Sequence, residues 1–368
     1  MSSLEIHNLS KRLGDNLVVD DVSLRVAEGE FFVLLGASGG GKSTLLRLIC
    51  GLETPDSGEV WLAGRNLTGL PPRARNIGMV FQDYGLYPAM NVFENIAYGL
   101  EARRLPRAEI ETRVTEAATK LGLTALLRRS IVDLSGGEQQ RVALARALAR
   151  DADLYLFDEP LSNLDPKLRV GARRDILTLH RQKGRPSLYV THDQTEAFAI
   201  ADRIGIMAAG RLQQVGDTET LINRPANTLV ARFLGTPPMN LIPARLEQTA
   251  DGLLAVADGF RLPLSSQWPG ALTQHRPAQV LLGLRPEVIG LAHNGADEAG
   301  TVITPAQVID VEALVSETIV RLRLGEHTEL AVLWQDAAAE EFNEGDMVAI
   351  ALNPTTVCLF DAESGQAL

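Results

Sequence analysis

Two cysteines in 368 residues, Cys50 and Cys358, are too few and too far apart for a disulfide framework or a cysteine-built metal cluster, and they read as reduced core thiols. No apolar run approaches the ~18 residues needed to cross a bilayer. The start, Met1-Ser2-Ser3-Leu4-Glu5, lacks the basic-then-apolar order of a secretion signal, so a chain that stays in the cytosol and does not itself span a membrane is expected. A basic excess is also missing. With a net charge of -11, the electrostatic footprint of a general nucleic-acid binder is absent, and nucleic acid is not an expected partner. Low-complexity segments and internal repeats are absent as well. What remains is an ordinary globular composition, 45% hydrophobic and 22% charged, long enough for two or three domains at about 150 residues each.

One stretch organises the chain. Gly36-Ala37-Ser38-Gly39-Gly40-Gly41-Lys42-Ser43-Thr44 fits G-x-x-x-x-G-K-[ST], follows the apolar run Phe31 to Leu35 and leads into the helix-like Leu45 to Ile49. A strand ending in a glycine-rich turn aims consecutive backbone N–H groups inward, and the next helix adds its free N-terminal donors and positive dipole end. The turn is a cradle for phosphates. Lys42 can reach the β- and γ-phosphates of a nucleoside triphosphate, Ser43 can ligate Mg²⁺, and Thr44 supplies a further donor. The motif occurs once, which excludes two fused copies of such a domain.

Around it the pattern is α/β. Leu4 to Leu9 and Leu17 to Val26 alternate as strands of a small antiparallel layer, with His7 on its solvated side. Glu59 to Ala63 reads as a strand, Pro71-Pro72 as a break, and Ile77 to Phe81 as a short buried strand ending at Gln82. There the Gln82 amide can serve Mg²⁺ or a water, and equally can be a satisfied loop glutamine. Ile110, Val114, Ala117, Ala118 and Leu121 recur at helical spacing with charged neighbours on a solvated face, as in an all-α insertion. Ser135 before the alanine- and leucine-rich run from Val142 is an N-cap with Glu138 as its capping-box partner. Such a helix start binds anions, although a cap without a ligand obeys the same rules. Leu154 to Asp158 is a buried strand ending in Asp158-Glu159, and ionised groups there are costly unless a metal or proton-transfer role compensates them. Asp158 suits Mg²⁺, and Glu159 suits a water. Leu188 to Thr191 is another strand, and His192 after it can report a γ-phosphate or be a plain loop histidine. Strands alternating with helices imply a mostly parallel sheet with its ligand at the carboxyl ends.

The phosphate loop, Gln82, Leu134-Ser135-Gly136-Gly137-Glu138-Gln139, Asp158-Glu159, Leu164-Asp165 and His192 together resemble, in order and context, the ATPase subunits of ABC transporters over roughly residues 4 to 235. That resemblance implies a head-to-tail homodimer with ATP between the phosphate loop of one copy and Ser135 to Gly137 of the other. It assigns Glu159 to the attacking water, His192 to the γ-phosphate, Asp165 to the dimer contact, and Gln82 to Mg²⁺, water and coupling to a membrane partner near Tyr84 to Phe93. Past Pro237-Pro238 the texture changes. Short runs (Val280 to Leu284, Val302 to Val311, Ile319 to Leu324, Leu330 to Leu333, Met347 to Leu352, Val357 to Phe360), with turns at Asn294-Gly295 and Glu344-Gly345-Asp346, read as an all-β barrel. With Gly283-Leu284-Arg285-Pro286-Glu287 and Leu359-Phe360-Asp361, this part looks like the transport-associated OB-fold domain of sugar-importer ATPases. Met239-Asn240 is closest in style to the sugar and glycerol-phosphate group.

The expected organisation is therefore a nucleotide-binding domain over residues 1–235, its helical subdomain about 85–150, and a β-barrel domain over 236–368. The resemblance implies ATP and Mg²⁺, two permease subunits, an external solute-binding protein acting indirectly, a possible regulator on the barrel, and a peripheral place on the cytoplasmic face of the membrane. Importers of polyamine, sulfate or iron, and soluble ABC ATPases of DNA repair or translation, are the rival readings. One departure stands out. Relatives stack adenine on an aromatic residue in the first hairpin, where this chain has Leu13. Stacking on an aromatic ring contributes about 1–3 kcal/mol, so Leu13→Tyr is expected to raise affinity for ATP over GTP. Titration of both nucleotides checks this, and no gain for ATP counts against it.

Overall fold

The computed structural model describes residues 3–250, 252–264, 279–292, 301–314, 317–334 and 342–368. These form two units, Met1–Thr218 and Glu219–Leu368. In the first, Leu4–Leu13 (β1) and Asn16–Val26 (β2) pair antiparallel, from Leu4 opposite Val26 to Leu13 opposite Asn16. Phe31–Leu35 (β3) and Lys42–Cys50 (α1) follow, then Ser57–Leu62 (β4) and Arg65–Asn66 (β5), which complete a four-stranded layer in the order β2-β1-β4-β5. His7 is exposed on that layer, as its alternation requires.

Next come Pro72–Arg75 (α2) and Ile77–Val80 (β6), then three helices, Val92–Glu101 (α3), Arg107–Lys120 (α4) and Gly136–Ala149 (α5). In α4 the expected stripe of Ile110, Val114, Ala117 and Ala118 is buried. Leu154–Asp158 (β7), Pro166–Lys183 (α6), Ser187–Thr191 (β8), Gln194–Ile200 (α7), Arg203–Ala208 (β9) and Arg211–Gly216 (β10) finish the unit. The main sheet runs β10-β9-β3-β8-β7-β6, parallel except for β10. Strands β3, β7 and β8 are buried at every position, which is why they read as unbroken apolar runs instead of alternating ones.

Register sets the functional edge. Leu35 lies opposite Thr191, Asp158 opposite Val190, and Val80 opposite Phe157. The residues that follow, Gly36, His192, Glu159 and Gln82, therefore emerge at one end of the sheet. Helix α1 starts there and is clamped at its other end. Gly51, in the left-handed region, returns its N–H to Arg47 and Leu48, while the buried Arg75 donates through Nη1 to the Leu48 and Ile49 carbonyls at 2.7 and 2.8 Å. Arg75 also donates through Nε to Leu70 and through Nη2 to Thr68. The sequence reads Pro71-Pro72 as a break, yet Pro72 opens α2, because a proline at the first helical position loses no intrahelical bond.

The second unit takes in all but the first residue of Thr218–Asn223 (α8), then Thr228–Phe233 (α9), and continues as Asn240–Thr249 (β11), Gly252–Ala257 (β12), Phe260–Pro263 (β13), Gln279–Leu284 (β14), Gly290–Leu291 (β15), Val302–Ala313 (β16), Thr318–Leu324 (β17), Thr328–Trp334 (β18), Met347–Leu352 (β19) and Cys358–Asp361 (β20). Two antiparallel sheets, β13-β12-β11-β14-β20 and β15-β19-β16-β17-β18, share one core that includes Ile242, Leu282, Leu322, Ile350 and Leu359. Residues before Pro237 join this unit because Arg285 donates to the carbonyls of Ile222 and Leu234, the Thr228 N–H donates to the Gly365 carbonyl, and the Ala367 N–H donates to the Ala226 carbonyl. The expected turn at Asn294-Gly295 lies outside the described residues. Among those residues, no helix is long and apolar enough to cross a membrane, and both cysteines are free.

Arg75→Ala would remove four hydrogen bonds, two of them at the C-terminal end of α1, where the Leu48 carbonyl keeps the Gly51 N–H. Hydrogen bonds from a charged donor contribute about 1.5–3 kcal/mol each net of water exchange, so a loss of at least about 3 kcal/mol from the first unit is expected. A fall in the thermal midpoint of that unit, followed by circular dichroism, checks it.

Candidate functional site

The loop Gly36 to Gly41 can only be built from glycine at its two ends. A Cβ on Gly36 would lie 2.1 Å from the Met207 carbonyl oxygen. At Gly41 the backbone is left-handed (φ 94°), and a Cβ would lie 2.3 Å from the Val18 carbonyl oxygen. The loop is wedged between β2 and the β9–β10 turn, where the Gly210 N–H donates to the Gly40 carbonyl at 3.2 Å. Ala37, Ser38 and Gly39 face solvent at its crest. Thr44, half-buried, is in the first turn of α1.

Lys42 is only 4% exposed, and its Nζ donates to the carbonyls of Gly36 and Ala37, both at 2.9 Å. Burial pulls its ammonium below the ordinary lysine range, against the opposing pull of Glu159 and Asp158. Ser43 Oγ donates to Asp158 Oδ1 at 2.8 Å, which ties α1 to the end of β7. Burial pushes the Asp158 carboxyl above its usual range, the Ser43 hydrogen bond resists that shift, and the neighbouring Glu159 charge adds to it. Asp158 and Ser43 thus form an oxygen pair, one half of it a carboxylate held ionised at a cost.

Glu159 sits in the left-handed region (φ 43°), unusual for a residue with a side chain, and its N–H is held by the Val190 carbonyl at 3.0 Å. That turn carries Glu159 Oε2 to 2.9 Å from His192 Nδ1. The carboxylate is sheltered at 13% exposure, while the imidazole is 51% exposed. Gln82, beyond the edge strand β6, reaches the same segment by a different route, for its carbonyl accepts from Asn163 Nδ2 at 2.9 Å. Asp165 stands exposed at the N-cap of α6, where its side chain makes no capping bond and Pro166 takes the first helical position.

At the head of α5 the capping box expected from the sequence is complete. Glu138 Oε2 accepts from the N–H and hydroxyl of Ser135, both at 2.8 Å, and Ser135 Oγ accepts from the Glu138 N–H. Those bonds hold the Glu138 carboxyl below its usual range. Gln139 donates to the carbonyls of Ile131 and Leu134, so the hydrogen bonds of both Ser135 and Gln139 run to their own segment. Ser135 and Gly136 are exposed, and Gly137 is half-buried. Lys42, Ser43, Asp158, Glu159 and His192 are therefore brought together directly, while Gln82 joins through Asn163 and the α5 start stays separate in its bonding. Leu13, at the hairpin tip, is 44% exposed. Sequence reasoning passed over Arg169, Thr191, Asp193 and Glu196, which brace this cluster. Only Asp193 carried a signal, as a helix cap.

A phosphate-binding loop feeding a helix, a histidine after the neighbouring buried strand and a carboxylate pair at the end of the strand beyond it define a nucleotide-hydrolysing ATPase domain. The chain matches the ABC transporter family over residues 19–162, the MalK OB fold domain over 235–289 and the TOBE domain over 282–360. It is 42% identical to the sn-glycerol-3-phosphate import ATP-binding protein UgpC of Cupriavidus pinatubonensis over 375 residues, covering 100% of both chains. It is also 42% identical to the trehalose/maltose import ATP-binding protein MalK of Thermococcus litoralis over 377 residues, again covering 100% of both. The dimeric structure of MJ0796, a bacterial ABC transporter cassette, superposes with a TM-score of 0.53 at 30% identity, covering 58% of this chain and 98% of that one. This chain belongs to the ABC transporter ATP-binding proteins, and it binds and hydrolyses ATP to drive transport.

Because burial raises Asp158 in the fold, the folded state binds its proton more tightly than the unfolded chain does. Stability is therefore lost as pH rises from the ordinary aspartate range through the raised value. Asp158→Asn keeps the Ser43 partner and removes the charge. In EDTA at pH 7 it is expected to raise the thermal midpoint of the first unit, by about 2–4 °C per kcal/mol relieved, while abolishing ATP hydrolysis. Melting curves from pH 4 to 8 check the sign, since the gap between the variants should close as pH falls.

Proposed function

We propose that this chain is the ATP-hydrolysing subunit of an importer for a carbohydrate, a polyol or sn-glycerol-3-phosphate. The observation that carries this reading is end-to-end similarity to import proteins of that kind, extending through both the nucleotide-binding unit and the β-rich one. Two copies face each other head to tail, each ATP lying between Gly36 to Thr44 of one and Ser135 to Gln139 of the other. What supports this is the exposure of the phosphate-loop crest at Ser38-Gly39 and of the α5 start at Ser135-Gly136, each leading into a helix N-terminus suited to phosphate oxygens. The chain stays peripheral, on the cytoplasmic face, bound to two permease subunits. A cavity of about 560 Å³ lined by Phe81, Tyr87, Tyr98, Arg103 and Arg146 supports a docking place for them.

In hydrolysis, Gly36 to Gly41 wrap the phosphates with backbone N–H groups. Lys42 turns its ammonium from its own loop carbonyls to the β- and γ-phosphate oxygens. Glu159 orients a water and takes its proton as the oxygen attacks the γ-phosphorus, whose bond to the β–γ bridging oxygen breaks to release ADP and inorganic phosphate. His192, held through Nδ1 by Glu159, keeps Nε2 for the terminal phosphate, and Asp165 meets the partner copy. Among the described residues no cluster of three or more His, Cys, Asp or Glu side chains can hold a metal alone. Mg²⁺ asks for less, one or two protein oxygens beside the substrate phosphates, and the Ser43–Asp158 pair fits it. Ser43, Asp158 and Gln82 would hold the ion, which when bound neutralises charge on the β- and γ-oxygens.

Glu159→Gln is expected to bind ATP and accumulate as a nucleotide-bound dimer, with kcat down at least about 100-fold. Lys42→Ala is expected to lose ATP binding. Gel filtration with ATP and phosphate release measure both, and a wild-type rate in Glu159→Gln would remove Glu159 as the base. In cells lacking the gene, uptake of labelled sn-glycerol-3-phosphate, maltose and trehalose should fall for at least one solute and return only with the wild-type chain. Unchanged uptake of all such solutes would overturn the assignment.

A further inference from the structure

The carbonyls of Ser162 and Leu164 and the carboxylate of Asp193 converge on one guanidinium. Arg169, in the first turn of α6, donates through Nε to Leu164 O at 3.0 Å and through Nη2 to Ser162 O at 3.4 Å, and its Nη1 lies 3.6 Å from Asp193 Oδ2. Each contact adjoins a residue of the site. Ser162 Oγ donates to the Glu159 carbonyl at 2.9 Å, Leu164 precedes Asp165, and Asp193 follows His192. His192 Nδ1 closes the circuit on Glu159 at 2.9 Å. The chain of contacts Glu159, Ser162, Arg169, Asp193, His192 therefore forms a ring through the site, and Arg169 is the member that joins its two halves.

The far side of the ring is rigid. Asp193 caps α7 by accepting the Glu196 N–H at 3.1 Å, and its own N–H donates to Thr191 Oγ1 at 3.0 Å. Thr191 and Tyr189 in turn donate to the buried Glu196 carboxylate at 3.0 and 2.9 Å. His192 is thus strung between two residues whose side chains are fixed from below, and of these Asp193 is also tied laterally, to Arg169. Arg169 faces the Asp193 carboxylate on the His192 loop and the neutral carbonyls of Ser162 and Leu164 from the segment before α6. A planar fork suits such a place. One guanidinium edge can hold two carbonyls while the other meets a carboxylate, which a lysine ammonium cannot reproduce in full.

We propose that Arg169 is a positioning residue for hydrolysis, setting the place of His192 against Glu159 by bracing Asp193 against the Ser162–Leu164 segment. This rests on the reading of Glu159 and His192 given above. It follows that displacement of the segment bearing Asp165 by a second subunit is passed by Arg169 to the histidine of the same chain, so the hydrolytic pair is set by contact with the partner as well as by nucleotide.

The test uses the purified full-length chain, with ATP turnover measured over a range of ATP concentrations. Arg169→Ala is expected to lower kcat about tenfold, with KM for ATP changed less than about twofold, since position and not binding is lost. Arg169→Lys should recover at least about a third of the lost rate. Asp193→Asn, which still caps α7 and so keeps the fold, should lose rate in the same way. The double variant Arg169→Ala/Asp193→Asn should be no slower than Arg169→Ala, because both changes cut one link. Multiplicative losses, or a loss appearing in KM with kcat intact, would overturn the role of Arg169. If Arg169→Ala fails to fold, Asp193→Asn against Arg169→Lys carries the same comparison. His192→Ala, run alongside, separates the two levels. A wild-type rate there removes the reading of the site, whereas a slow His192→Ala beside a wild-type Arg169→Ala removes Arg169 alone.

Discussion

An ionised carboxylate at the end of a fully buried strand is the constraint on which the catalytic edge depends. Asp158 is the last residue of β7, a strand without an exposed position, and a charge there is tolerated only with compensation nearby. Ser43 supplies a hydrogen bond and Lys42 a positive charge, and both come from the first turn of α1. The helix can deliver them only if it begins directly at the end of β3, two strands away in the same sheet, which the glycine turn makes possible. Loop, helix and strand are thus interdependent. The same arrangement that relieves the buried charge sets oxygen and nitrogen atoms where triphosphate chemistry uses them.

Backbone conformation does the finer placing. Glu159 leaves the strand in a left-handed turn that would be relaxed only for glycine, and the Val190 carbonyl and the Ser162 hydroxyl hold it there. A carboxylate one residue from Asp158 is consequently directed at His192 instead of into the Ser43 pair. The two acids, adjacent in the chain, have different neighbours and different work.

Much of this was legible in the sequence because it follows from local rules. The glycine-lysine turn, the unbroken apolar runs of β3, β7 and β8, the α4 stripe and the Ser135–Glu138 capping box each involve residues a few positions apart, where periodicity and capping chemistry decide. The strands β14 and β16 to β20 were visible through alternation. What could not be read are interactions set by tertiary placement. Arg75 and Arg169 look like surface arginines in the sequence, yet one clamps the end of α1 and the other joins two loops, at Leu164 and Asp193, that lie on either side of α6. Helix α3, with its own Asn91–Glu94 capping box, was not singled out within the expected helical subdomain, and strands β11 to β13 went unread, β12 and β13 because Gly252 and Gly259 bound them into short runs, β11 because Pro243 and its exposed end Glu247 to Thr249 blur the alternation.

The turn between β9 and β10 looks peripheral, a reversal at the one antiparallel edge of the main sheet. Its Gly210 nevertheless donates to the carbonyl of Gly40 and accepts the N–H of Asp20, while Arg211 beside it pairs with the Asp20 carboxylate. The nucleotide cradle is therefore stitched from behind by a hairpin distant in sequence and by the outer β layer. When natural variants of this chain are compared, insertions or bulky replacements around Ala209-Gly210 belong with changes in the glycine turn itself, since they press on the same seam.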